Sequence, residues 1–171
     1  MFAPDGDIFF VQDRTLYRTK PDGSGRQKAI DDPVVVLYAI SPDGKWAAVW
    51  VGTAVDVYPL HGGPPVELCP VCATVGADHR GITPPVVSWS RNGKFFFMHF
   101  AWTTRETYAI PLQSGRMLPP LPKGGISAQE VAAIPEARRI AQLRAFSSDD
   151  PSVYAFMRQT PQRNIYRVPV P

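Results

Sequence analysis

The chain has 171 residues, of which 13 are Gly and 19 are Pro. That load, close to a fifth against a usual ~12%, interrupts the chain too often for long helices and excludes a helical bundle. Hydrophobic content of 44%, with 4 Trp, 6 Tyr and 9 Phe, excludes a disordered polar chain and provides for a single cored domain over 1–171. Net charge is +3, the charge of an ordinary solvated surface. The basic stretch from Arg138 to Arg167 spaces its Arg through expected strands, so it is no nucleic-acid arm. No apolar run approaches the ~18 residues of a membrane span. Met1-Phe2-Ala3-Pro4-Asp5-Gly6 lacks the basic start and apolar stretch of a signal peptide, and reads like an internal segment given a start Met.

Short strands separated by turn signals follow in chain order. Asp7–Val11 and Thr15–Thr19 flank a tight turn at Gln12-Asp13-Arg14. Lys20-Pro21-Asp22-Gly23-Ser24-Gly25 is a turn cluster, followed by strands at Gln27–Ile30 and Val34–Ile40. Ser41-Pro42-Asp43-Gly44-Lys45 turns again, with Pro presetting φ and Gly free to take φ > 0. Trp46–Val51 and Ala54–Leu60 make a hairpin, and a loop runs from His61 to about Pro85. Val86–Ser90, Phe95–Trp102 and Arg105–Leu112 are strands, with Arg91-Asn92-Gly93-Lys94 as the turn between the first two. Ser127 and Glu130 form a capping-box sequence for one short helix near 128–134, stopped by Pro135. Ala137–Leu143, Val153–Gln159 and Asn164–Val168 are the last expected strands.

The turns repeat. Ala3-Pro4-Asp5-Gly6-Asp7, Ser41-Pro42-Asp43-Gly44-Lys45 and Ser90-Arg91-Asn92-Gly93-Lys94 align, with a degenerate copy at Ser148-Asp149-Asp150-Pro151-Ser152. Each precedes an aromatic or β-branched strand, and each unit then has a second strand with a Tyr: Tyr17, Tyr58, Tyr108, Tyr166. The fold class is therefore all-β, with about four units of short antiparallel strands starting near 3, 41, 90 and 148. Units of this period are propeller-type blades, whose stacking covers both faces and explains consecutive apolar residues. An unclosed β-sandwich is the rival, but it does not account for the recurring unit.

Ser41-Pro42-Asp43-Gly44-Lys45-Trp46 and Trp89-Ser90-Arg91-Asn92-Gly93-Lys94 resemble the signature turn of TolB-like, WD40-like bacterial propeller repeats. The second departs from it by Arg-Asn for Pro-Asp. The resemblance implies a β-propeller, of which the chain would form about four blades of a larger ring, and is nearly silent on function. The C-terminal third, from Gly124-Gly125-Ile126 to Val168-Pro169-Val170-Pro171, looks like the end of propeller regions carried by bacterial serine/threonine protein kinases. That likeness implies a non-enzymatic protein-interaction or ligand-sensing module of a receptor-like protein, with an extracytoplasmic location. The alternative is the gating propeller of a prolyl-oligopeptidase-like serine hydrolase without its catalytic domain. The Val-Pro-Val-Pro ending speaks against a domain following directly.

No catalytic constellation stands out: there is no Gly-x-Ser-x-Gly elbow, Gly-rich phosphate loop or kinase motif. Asp5 and Asp43 read as turn formers. Phe95-Phe96-Phe97 reads as a buried strand, in preference to an exposed docking patch. Cys69-Pro70-Val71-Cys72 admits a local disulfide, two inert thiols on a surface loop, or zinc with His79 as a third ligand. Asp78, His79 and Arg80 form the best polar cluster for a ligand or partner. No cofactor is implied. Open terminal blades would leave Phe9, Phe10 and Val11 at one end, and Tyr154, Phe156 and Met157 at the other, half uncovered. The chain is therefore expected to form a homodimer through them.

Overall fold

The computed structural model describes residues 1–69, 74–75, 82–83, 85–100, 106–120, 126–141 and 145–156. Three antiparallel sheets carry the fold, each with its strands in sequence order. The first comprises β1 (Ile8–Gln12), β2 (Thr15–Thr19) and β3 (Gln27–Lys28). The second comprises β4 (Val34–Ile40), β5 (Trp46–Val51), β6 (Ala54–Pro59) and β7 (Val66–Cys69). A two-stranded pair, β8 (Thr74–Val75) and β9 (Ile82–Thr83), precedes the third sheet. That sheet is β10 (Val86–Trp89), β11 (Phe95–Phe100), β12 (Glu106–Pro111) and β13 (Arg138–Ile140). The helix α1 (Ala128–Ala132) lies between β12 and β13 in sequence. A last pair, β14 (Phe146–Ser147) and β15 (Tyr154–Ala155), ends the described chain. Every sheet is open.

The repeat is visible atom by atom. In three turns the Gly N–H donates to the carbonyl three residues back: Gly6 to Ala3, Gly44 to Ser41, Gly93 to Ser90. The Asp or Asn three positions before the strand accepts from the backbone N–H two on: Asp5 from Asp7, Asp43 from Lys45, Asn92 from Lys94. Asp5 and Asp43 are thus turn formers, as their sequence context implied. The three Gly have φ of +87°, +71° and +68°, a left-handed conformation that a Cβ would strain.

The unit boundary differs from the sequence expectation. Each turn joins the first and second strands of a sheet, so a unit begins one strand before its turn. Equivalent bridges are Phe2 with Ile8, Ile40 with Ala47, Trp89 with Phe96, and Ser147 with Tyr154. The Met1–Phe2 segment holds the first-strand position of the first unit; the Met1 amino group donates to the Phe9 carbonyl, and Phe9 N–H to that of Met1. The first turn is one residue shorter: Ala3 N–H reaches Asp7, whereas Ser41 reaches Trp46 and Ser90 reaches Phe95.

Sheets pack face to face through their apolar residues. Phe9 and Leu16 of the first sheet share a core with Ala47, Val49 and Tyr58 of the second. The second sheet's other face, with Ala48, Val55, Val57 and Leu68, meets Val87, Trp89, Phe96 and Met98 of the third, closed below by Ile126 and Val131 at α1. The third sheet's far face, with Phe97 and Ala109, packs on Ala145 just before β14. Strands buried on both faces carry unbroken apolar runs: Ala47, Ala48 and Val49, like Phe96, Phe97 and Met98, are 0% exposed. Phe96 and Phe97 are therefore interior, and Phe95 is half-buried beside them. The first strands of the second and third sheets lie side by side, β4 against β10, and β4 also touches β1, the strand after the first turn. The helix has the expected capping box, Ser127 Oγ accepting from Glu130 N–H while the Glu130 carboxylate accepts from Ser127 N–H.

Two expectations are corrected. The stretch after His61 contains a fourth strand, β7, and the β8–β9 pair. Phe9 is 2% exposed because it faces the second sheet, so it is no part of an uncovered end. The expected strand at Asn164–Val168 and Met157 lie outside the described residues.

The β1–β2 hairpin turns on Asp13 and Arg14, both with positive φ (50° and 59°). This is the geometry that usually takes Asn-Gly. Arg14→Gly is expected to raise stability by about 0.5–1 kcal/mol by removing left-handed strain. Urea unfolding measures it, and an unchanged or lower midpoint would disprove the strain.

Candidate functional site

The repeated turns lie in one row. Pro4 of the first turn sits where a Cβ on Gly44 would be 3.6 Å away, and Pro42 of the second lies beside Gly93 of the third. Asn92 of the third turn donates from its backbone N–H to the Asp149 carboxylate of the fourth, at 2.8 Å. Beside the second turn is a cleft of about 530 Å³, lined by Asp43, Lys45, Trp46, Val66, Arg116 and the Met117–Pro120 segment. Its far wall is fixed: Trp89 Nε1 donates to the Met117 carbonyl at 2.6 Å, and Leu118 packs on the main core. The lining therefore combines one aromatic residue, Trp46, two cationic residues, Lys45 and Arg116, and the prolines Pro119 and Pro120. The Asp43 Oδ1 is already engaged by the Ser41 hydroxyl at 2.5 Å and the Lys45 N–H at 3.1 Å. Ser41 itself is 0% exposed, and its oxygen accepts from Trp46 N–H. This Ser–Asp pair folds the turn.

Two other polar groupings stand out. Asp7 is buried and receives Lys20 at 2.9 Å and Arg18 Nε at 2.5 Å, while Arg18 also reaches Asp5. The hydrogen bonds from Lys20 and then Arg18 hold the Asp7 carboxyl below the ordinary carboxylate value. At the seam of the first and second sheets, Tyr58 donates to Asp32 at 2.7 Å. Asp56, two residues before Tyr58 on β6, pairs across the sheet with Glu67. Burial, then repulsion from Glu67 and Asp32, pushes the Asp56 carboxyl up to about 6 from 3.8. Its Oδ1 is buried without a hydrogen-bond partner among the described residues. The folded state therefore holds the Asp56 proton more tightly than the unfolded chain does, and stability falls as pH rises from about 4 to about 6. Asp56→Asn is expected to stabilise at pH 7 by about 1–2 kcal/mol, after allowance for the partial solvent contact of the group, with the gain shrinking as pH falls from about 6 and gone below about 4. Thermal melts of both proteins across that range measure it; a variant less stable at pH 7 would contradict it.

The sequence-derived site residues fall elsewhere. Cys69 ends β7, opposite Val55, and is half-buried against the main core, so it is not on a surface loop. It takes part in a disulfide, and the only other cysteine in the chain is Cys72. In that state the Cys69 sulfur is no thiolate ligand for zinc. Cys72, Asp78, His79 and Arg80 lie outside the described residues. Among the described residues no group of three His, Cys, Asp or Glu is placed to hold a metal. A bridge closing so short a loop contributes at most about 2 kcal/mol. Reduction by a small thiol reagent is therefore expected to lower the unfolding midpoint modestly; collapse of the fold would show a larger role.

The cleft was not read from the sequence. Trp46 and Arg116 lie 70 positions apart, and no local motif links them. The Pro119-Pro120-Leu121-Pro122 run was the signal that could have drawn attention to that wall. Among the described residues, no helix is long and apolar enough to cross a membrane. Compared with known proteins, the chain matches no family model and no curated protein.

Proposed function

We propose that the chain is a non-enzymatic interaction or ligand-sensing module built from propeller-type repeats of the TolB-like kind. One observation carries this reading: successive open sheets stack face to face, with β4 beside both β1 and β10 and the signature turns in a row. Radially repeated sheets are built in this way. A fold alone assigns no activity, so the function is argued from the surface.

The cleft beside the second turn supports binding. Lys45 and Arg116 supply positive charge, and Trp46 supplies a flat apolar face. Such a set suits a small molecule or short peptide with a carboxylate next to an aromatic or aliphatic group. The turn serines support the non-catalytic side of the reading. The Ser41 hydroxyl is enclosed and spends both its donor and an acceptor site on the turn.

The test titrates acidic aromatic dipeptides and arylcarboxylates while following the Trp46 indole N–H resonance. A saturable shift is expected, lost in Lys45→Ala and Arg116→Ala. No shift with any of these probes would contradict the cleft. Turnover of a peptide, ester or nucleotide that survives repurification and vanishes with a point substitution would contradict the non-enzymatic reading.

A further inference from the structure

The first sheet leaves only half-covered the face that the other sheets bury. In the second sheet Ala47 and Val49 face the first sheet, and in the third Phe96 and Met98 face the second; all four are 0% exposed. The equivalent bridges identify Ile8 and Phe10 as their counterparts in the first unit. Both are only half-buried. Phe10 stacks on Tyr17 with ring centroids 5.6 Å apart, and the Arg26 guanidinium lies over both rings, at 5.2 and 3.9 Å. The turn row is interrupted at the same end. Gly44 meets Pro4 and Gly93 meets Pro42, but Gly6 has nothing within 4 Å. At the opposite end of the described chain, Val153, Tyr154 and Phe156 are 60%, 37% and 48% exposed.

We propose that the Ile8–Phe10–Tyr17 face is a docking surface for the last sheet of a second copy of this chain. Three observations choose that occupant. The face continues a packing mode the chain uses between its own sheets, so a sheet of the same repeat fits it. The chain itself carries exposed apolar side chains at its last described sheet, at Val153, Tyr154 and Phe156. The charges are opposite, Arg26 on the receiving face and exposed Asp149 and Asp150 on the last turn. A two-fold axis satisfies both ends together, since each copy's first face then meets its partner's last sheet. Two copies would bring together about eight units, within the range of known closed radial assemblies. Neither the cleft nor its ligand takes part in this contact.

Light scattering coupled to size exclusion, at tens of micromolar and with the full chain, tests it. The expected mass is twice the 18.9 kDa of one chain. Phe156→Glu and Phe10→Glu are each expected to give the single-chain mass with an unchanged far-ultraviolet spectrum. Phe156 is exposed, so its substitution remains decisive should Phe10→Glu fail to fold. Val35→Glu, at an exposed apolar site on β4, and Lys45→Ala in the cleft are expected to leave the dimer intact. A single-chain mass for the unaltered protein would overturn the proposal. So would a dimer insensitive to Phe156→Glu, or a mass that keeps growing with concentration.

Discussion

Replacing Phe96 by Ala is expected to remove about 3–5 kcal/mol of folding stability. The ring is 0% exposed, stands edge-on to Trp89 at 5.3 Å between centroids, and fills the seam between the second and third sheets. Its loss removes apolar burial and leaves a cavity that two hydrogen-bonded sheets cannot collapse. The neighbouring Phe95 is half-buried and only packs at the edge of the third sheet's far face. Phe95→Ala is therefore expected to cost less than half as much. Denaturant unfolding of the two variants measures the contrast, and equal losses would mean that the seam between sheets is not where stability resides.

The second large effect belongs to the turn serines. Ser41→Ala and Ser90→Ala are each expected to cost about 1–3 kcal/mol. Each hydroxyl joins three parts of its turn. Ser41 Oγ donates to Asp43 and accepts from Trp46 N–H at 2.9 Å; Ser90 Oγ donates to Asn92 and accepts from Phe95 N–H at 2.9 Å. Both serines are buried, so water does not replace the lost oxygen easily. The first turn has Ala3 in the same position and is one residue shorter, which removes the need for that bridging oxygen. Thermal unfolding checks the pair of variants. A change within about 0.5 kcal/mol in either, the range of an ordinary surface substitution, would show that the hydroxyls are not structural.

Local chemistry made part of this fold legible. A Pro-Asp-Gly turn, a tight hairpin turn and a capping box are each decided within a few residues; all three are present, the hairpin loop being one residue tighter than the sequence suggests because Gln12 joins the strand and pairs with Thr15. Strand β7 escaped notice because Gly62-Gly63-Pro64-Pro65 and the Cys-x-x-Cys spacing both suggest loop. What makes Val66–Cys69 a strand is pairing with β6, which has no local signature. The unit boundary escaped for a related reason. Aligning on turns groups each turn with the strand after it, whereas hydrogen bonding groups it equally with the strand before. The one-residue deletion in the first turn then shifted which of Phe9 and Phe10 faces inward, as a period of two requires. The cleft depends on residues brought together only by the packing of a loop after β12 onto the second sheet. The Asp56 site is likewise invisible in sequence, since its carboxyl becomes unusual only through burial beside Glu67 and Asp32.

The central claim is that successive units stack with their signature turns in register along one edge. Nuclear Overhauser contacts between the turns test it most directly. The stacking predicts cross-peaks from the Pro4 ring protons to Gly44 Hα, and from Pro42 and the Met117 methyl to Gly93 Hα, because those side chains lie within 4 Å of where each Gly would bear a Cβ. Observing these peaks alongside the β4–β5 and β10–β11 ladders would match the account. Intact ladders without any turn-to-turn peak would contradict it, for the sheets would then exist without the stacking.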